Sequence, residues 1–169
     1  MNTVHARPVT PDNFSRYGRV YDLTGDTDSN VVWTVGDGWN DGFTKTALLD
    51  GRGHLGITRG GQAPWDCSAM ERHPLTEEAI FCLAEPVVLA VAPASDAEAP
   101  DRDEVEAFVI APGQAVVMNR NVWHDACRGV SGPALYYWMA VCGLGENPWV
   151  AVSGAPIKVS AAAGTGLTL

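Results

Sequence analysis

The chain has 169 residues, 46% of them apolar and 18% charged, and a formal net charge of -9. That size and balance fit one globular domain spanning residues 1–169, able to bury a core without disulfide or metal staples. The acidic balance argues against nucleic acid or an anionic membrane surface as a partner. No run reaches the ~18 apolar residues of a membrane span. Residues 1–8 lack the apolar centre of a signal peptide, so the chain is read as cytoplasmic.

In chain order, Thr10, Pro11 and Asp12 are a cap, a first-turn proline and a dipole-favoured acid. They predict a short helix of roughly two turns, with Phe14 and Tyr17 on one face and Gly18 as its stop. Val31–Val35 is rich in strand formers, and Asp37-Gly38 and Asp41-Gly42 read as turns. Thr44–Leu49 is a further predicted strand. Asp50-Gly51 is a hairpin signal, with His54–Thr58 returning along that strand. Ala79–Leu83 and Val87–Ala92 are apolar runs, and Pro93–Asp103 is an acidic surface loop.

Glu106–Ile110 and Ala115–Met118 flank Ala111-Pro112-Gly113-Gln114, a type II turn by composition. Leu135–Val141 is the last predicted strand, and the small-residue tail 157–169 is expected to pack loosely. Many short strands with turn signals between them and almost no helix predict an all-β sandwich or barrel.

The four cysteines, Cys67, Cys82, Cys127 and Cys142, form no C-x-x-C pair and are read as buried, inert thiols. Cys127, beside Arg128 and near His124, is the one kept open to reactivity. Of the four histidines, His5 and His54 have ordinary surroundings, whereas His73 and His124 lie in polar motifs.

In Glu71-Arg72-His73-Pro74, proline keeps His73 out of the helical region. Strand alternation then puts Glu71 and His73 on one face and Arg72 on the other. A carboxylate and an imidazole so placed can share a metal or act as an acid–base pair. In Asn119-Arg120-Asn121-Val122-Trp123-His124, Arg120 offers a fork that matches a carboxylate, and Trp123 offers an apolar wall. Phosphate-loop, dinucleotide, zincin and nucleophile-elbow motifs are missing.

The Glu71–Pro74 run, an apolar strand pair, the strand bearing Phe108 and then Arg120–His124 together resemble the ureidoglycolate lyases. Tyr17-Gly18 and Thr58-Arg59 match the same family, and the likeness covers residues 8–142. The resemblance implies an all-β cupin-type β-barrel (double-stranded β-helix) with a short N-terminal helix, paired as a homodimer. It also implies cleavage of ureidoglycolate to glyoxylate and urea in allantoin (purine nitrogen) salvage, a divalent metal, and no organic cofactor.

The usual cupin metal pattern is two histidines flanking one residue, then a glutamate, then a distant histidine. Glu71 stands at the first position, His73 at the second, Glu78 near the glutamate and His124 at the last, a depleted set. Glu71, His73 and His124 are thus the expected catalytic residues, or jointly the metal ligands with Glu78 as a further candidate. Arg120, Arg59 and Trp123 are expected to hold the small anionic substrate, and Arg72 is read as structural. The chain departs from the family at Thr24–Gly42, with Trp33 and Trp39, at Asp125, and at Cys142–Pro156. These segments are candidates for pocket lining and for a shifted substrate. Two other readings stay open: a different cupin lyase, isomerase or decarboxylase for a small hydroxy- or keto-acid, and a non-catalytic cupin that binds such an acid.

Overall fold

The structure is a computed structural model that describes residues 3–145, 149–154 and 156–161. Strand β1 (Thr3–Pro8) leads into a one-turn helix, α1 (Pro11–Phe14), and then β2 (Gly18–Asp22). β3 (Val31–Gly36) and β4 (Trp39–Thr44) form a hairpin of their own. β5 (His54–Gly60), β6 (Trp65–Cys67) and β7 (Ala69–Met70) precede the first polar motif. β8 (Glu78–Cys82), β9 (Val87–Ala92), β10 (Glu106–Ile110) and β11 (Gln114–Met118) fill the middle of the chain. β12 (Trp123–His124), β13 (Arg128–Gly129), β14 (Ala134–Ala140), β15 (Val150–Ala151) and β16 (Ile157–Ala161) follow.

One sheet runs β12-β9-β10-β1-β16-β6, with β13 also paired to β9, and the other runs β2-β11-β8-β14-β5. Side chains of both sheets meet in one core that includes Leu89, Phe108, Ile80, Val116 and Tyr136. The two sheets thereby make an all-β fold curled around one core as a half-barrel. β9 explains its own sequence: Val87, Leu89 and Val91 enter this core, while Val88, Ala90 and Ala92 enter a second one behind the sheet. A strand covered on both faces needs an unbroken apolar run.

The expected helix is present but shorter. Thr10 and Asn13 form a reciprocal cap, and the helix ends after Phe14. Gly18 opens β2 instead of stopping the helix. A Cβ there would lie 1.9 Å from the Val117 carbonyl oxygen, so close strand approach requires the glycine. Gly113 has φ +86 and Gln114 N–H donates to Ala111 O at 3.0 Å, as the Pro-Gly turn predicts.

Thr44–Leu49 is not a strand. The hairpin closes with Lys45 N–H donating to Asn30 O, and Asp41-Gly42 lies within β4. β5 pairs along its whole length with β14, not with its sequence neighbours around Asp50-Gly51. Of the tail, Ile157–Ala161 is held between β1 and β6, and 162–169 lie outside the described residues.

Candidate active site

Strand register builds the cavity. On the inward face of the five-stranded sheet, Glu78 pairs with Ala140. One step further along, Ile80, Trp138 and Gly56 are level, and beyond them Tyr136 and Thr58. The two polar motifs join at the mouth through paired backbone bonds. Glu71 N–H donates to His124 O and His124 N–H to Glu71 O, each at 2.9 Å. Asn121 adopts φ 65, a left-handed conformation that asparagine tolerates, and its N–H reaches His73 O at 3.1 Å. The turn at Asn119–Val122 therefore fixes both histidines relative to each other.

The result is a compact cluster. His73 Nε2 lies 2.8 Å from Glu78 Oε2, and His124 Nε2 lies 3.2 Å from the same oxygen and 3.9 Å from Glu71 Oε1. The imidazole centroids are 5.0 Å apart. One ligand atom each from Glu71, His73 and His124 falls within 4.8 Å of the others, an arrangement able to hold a metal ion. His124 Nδ1 sits 3.1 Å from the Val122 carbonyl. A carbonyl only accepts, so Nδ1 carries a proton and Nε2 is the atom turned to the cavity. That Nε2 is buried and, despite its approach to Glu78, lacks a hydrogen-bond partner among the described residues.

Electrostatics separates the carboxylates. Burial alone would raise the Glu78 carboxyl, but the His124 charge and the approach of both imidazoles outweigh it and leave it lowered. Burial raises Glu71; His124 and His73 pull against that rise, and Glu78 and Asp125 add to it. Burial would lower His124, but Glu78 and Glu71 overcome it and leave it raised.

The cavity measures about 520 Å³, and Glu71, Glu78 and Asp125 bring three carboxylates to its wall. No Lys or Arg lines it among the described residues. Asp125 is itself engaged, accepting from Trp65 Nε1 at 2.7 Å and from the Ala126 N–H at 2.7 Å.

Three expected substrate contacts stand elsewhere. Arg120 is half-exposed and pairs with Asp50 Oδ2 at 2.6 Å. Arg59 is exposed, because Thr58 takes the inward position next to it on β5. Trp123 is buried on the face of β12 opposite His124, with the Arg72 guanidinium 4.3 Å above its ring and its Nε1 donating to Ser95 Oγ at 3.2 Å. Arg72 also donates to the Ser95 carbonyl, so it is structural as expected. From this placement, Arg120→Ala should leave KM within about threefold, since an exposed ion pair contributes little. A tenfold or greater rise in KM by steady-state kinetics would bring Arg120 back to the substrate.

Cys67, Cys82 and Cys127 are buried, but Cys142 is exposed at the cavity edge, against the expectation for all four. Burial pushes the Cys82 thiol up to about 11 and the Cys127 thiol well above its usual range, which removes Cys127 as a reactive group. The hairpin with Trp33 and Trp39 does not reach the cavity. Thr58, Tyr136 and Trp138 do, and neither Tyr136 nor Trp138 carries a motif. They are recognisable only once β14 is known to lie between β5 and β8.

The family model for ureidoglycolate lyase matches residues 1–148. The chain is 29% identical over 150 residues to the ureidoglycolate lyase of Mesorhizobium japonicum, covering 87% of this chain and 91% of that protein. It is 30% identical over 152 residues to that of Rhodobacter capsulatus, with the same two coverages of 87% and 91%. With that of Pseudomonas syringae pv. tomato it shares 30% identity over 132 residues, 73% of this chain and 74% of that one. Among solved structures, RmlC from Streptococcus suis in complex with dTDP-D-xylose superposes with a TM-score of 0.43 at 11% identity, covering 82% of this chain and 70% of that one. The chain belongs to the ureidoglycolate lyase family.

Proposed function

We propose that this chain cleaves ureidoglycolate to glyoxylate and urea, in allantoin nitrogen salvage, at the cluster of Glu71, His73, Glu78 and His124. The observation that carries this reading is the convergence of two imidazoles and two carboxylates on one cavity in a member of the family. The reaction opens the C–N bond of a carbinolamide. The hydroxyl gives up its proton and becomes the aldehyde of glyoxylate, and the urea nitrogen gains a proton.

The substrate is an anion, and the cavity wall is acidic with no Lys or Arg among the described residues. A cation is needed, and the donor set fits a divalent metal: an imidazole Nε2 left unpartnered, its Nδ1 locked on a backbone carbonyl, and carboxylates beside it. Glu71, His73 and His124, with Glu78 beside them, would hold the ion, whose contribution when bound is to neutralise the substrate carboxylate and acidify its hydroxyl. Glu71, at the cavity wall beside both imidazoles, is the carboxylate placed to take the hydroxyl proton on an oxygen and deliver it to the departing nitrogen. Glu78, lowered, stays ionised and holds His73 in place through the 2.8 Å contact.

A homodimer fits the outer face of the five-stranded sheet. There Phe81, Tyr137 and Ile57 form one row across three strands. Ile57, Leu55 and Leu135 are exposed, an apolar patch suited to a second copy. No helix among the described residues is long and apolar enough to cross a membrane, and the acidic composition fits a cytoplasmic enzyme.

The test is glyoxylate release from racemic ureidoglycolate, corrected for spontaneous decay, with and without a chelator. Turnover lost to the chelator and restored by a divalent cation is the expected result. Turnover indifferent to chelation would keep the lyase and make the histidines plain acid–base groups. No turnover with any metal would sink the assignment.

The cluster also sets a pH dependence for the metal-free protein. Glu78 is lowered, so its contribution is present above the unfolded value of about 4.3 and is lost as pH falls through its folded value. His124 is raised, so its contribution is present below about 6.5 and is lost as pH rises through its folded value. Glu71, also raised, works against stability above about 4.3. Tm should therefore peak between about pH 4.5 and 6.5, and a divalent cation should raise it most on the alkaline side. A Tm that climbs from pH 6.5 to 8 without metal would contradict the shifts.

A further inference from the structure

The cavity wall carries a hydroxyl that the Glu71–His73–Glu78–His124 cluster does not use. Tyr136 lies on β14, level with Thr58 of β5 and two inward-facing steps from the Ala140–Glu78 pair. It lines the cavity and is only 4% exposed. Its phenol oxygen accepts the backbone N–H of Cys127, three residues past His124, at 3.3 Å. The Thr58 hydroxyl donates toward the same oxygen. Two incoming donors fill the accepting side of a hydroxyl, so the phenolic proton is turned elsewhere. Among the described residues Tyr136 makes no side-chain bond as a donor. Burial raises the phenol above its ordinary value, so it keeps that proton and offers it only as a hydrogen bond. The Glu78 charge adds to the rise, which puts the hydroxyl within the field of the cluster.

Ureidoglycolate has a polar carbamoyl end beyond the carbon whose hydroxyl and carboxylate would meet the cluster. That end has two directions in which to lie. Outward stand Leu75, Leu144 and Trp149, an apolar rim against which a carbamoyl group would lose its water for no hydrogen bond from leucine. Inward, past Ile80 and Trp138, stands the free O–H of Tyr136. The Thr76 hydroxyl is already committed, donating to Glu77 O and accepting the Val141 N–H.

We infer that Tyr136 is a further catalytic residue for ureidoglycolate cleavage, its O–H donating to the carbamoyl oxygen of the departing urea. This rests on the lyase reading above. As the C–N bond breaks, its electron pair goes to nitrogen and is shared by conjugation with the carbamoyl oxygen. The substrate hydroxyl loses its proton and becomes the aldehyde of glyoxylate, and that proton ends on the urea nitrogen. Negative charge therefore builds on the carbamoyl oxygen until the nitrogen is protonated. A donor already aimed at that oxygen stabilises the transition state more than the substrate. Tyr136 transfers no proton itself. Thr58 acts through it, as a positioning residue that holds the phenolic O–H in one orientation.

The experiment compares Tyr136→Phe, which removes only the hydroxyl, with the parent protein, both full length and metal-loaded. kcat for ureidoglycolate should fall about 10²-fold, the scale for losing one such donor. Inhibition by oxalurate, which keeps the carbamoyl group, should weaken severalfold, whereas inhibition by glyoxylate, which lacks it, should stay within about twofold. Thr58→Val keeps the phenol but frees its rotor, and should lower kcat severalfold with the same split between the two inhibitors. Equal weakening of both inhibitors, with loss of bound metal, would make Tyr136 structural and overturn the inference. Normal turnover in Tyr136→Phe would overturn it and leave the lyase standing. No turnover of ureidoglycolate by the parent protein would overturn the lyase reading, and this role with it.

Discussion

His124→Ala should lower kcat by about 10²-fold or more while the protein remains folded. His124 is the buried member of the cluster, and its Nε2 has no other hydrogen-bond partner among the described residues. Its ring cannot be replaced by a neighbour, because Nδ1 is committed to Val122 O and the backbone to Glu71. The variant also takes away the largest charge that keeps Glu78 ionised, so Glu78 should titrate upward and the site should lose affinity for a divalent cation. Metal content by elemental analysis should fall with activity. Near-normal turnover would remove His124 from the chemistry, and normal metal content with lost turnover would confine it to a proton-handling role.

Trp123→Ala should act on stability, with a loss of about 3–5 kcal/mol, the usual cost of emptying a large buried aromatic site. The indole is fully enclosed, packs in the core behind the seven-stranded sheet, carries the Arg72 guanidinium on its face and donates to Ser95. Removing it leaves a cavity, strands Arg72 and releases the base of the Pro93–Asp103 loop. Urea unfolding should show a lower midpoint with unchanged slope. An unchanged midpoint together with a raised KM would instead make Trp123 the pocket wall that its neighbourhood in the sequence suggests.

Trp123 also shows how far the sequence can be read. Alternation correctly groups Glu71 with His73 and turns Arg72 away, and the same rule puts Trp123 opposite His124 and Arg59 opposite Thr58. Adjacent residues in a strand cannot share a pocket, however suitable their chemistry. Val87–Ala92 and Glu106–Ile110 were legible because burial on both faces demands continuous apolar sequence. β1 was not legible, because its two partners are parallel and distant, and parallel pairing leaves no turn signal. β4 was hidden by Asn40, Asp41 and Gly42, which look like a turn but are carried in a hairpin exposed to solvent. The cavity face of β14 was equally hidden: Tyr136 and Trp138 gain their place from register with Glu78 and Ile80, which is a long-range property.

The position of β1 has a consequence for how the chain is made. It lies in the interior of its sheet, parallel to β10 on one side and to β16 on the other. During synthesis from the N-terminus this strand emerges well before either neighbour. Its hydrogen-bonding edges, and Ala6 and the following Val9 that end up in the cores, must wait without partners while most of the chain is translated. Open strand edges and uncovered apolar groups are what drive nascent chains to aggregate. β1 gains its second neighbour, and the core behind the sheet its Ile157 and Val159, only when β16 arrives, so that edge stays open until the last described strand is out of the ribosome.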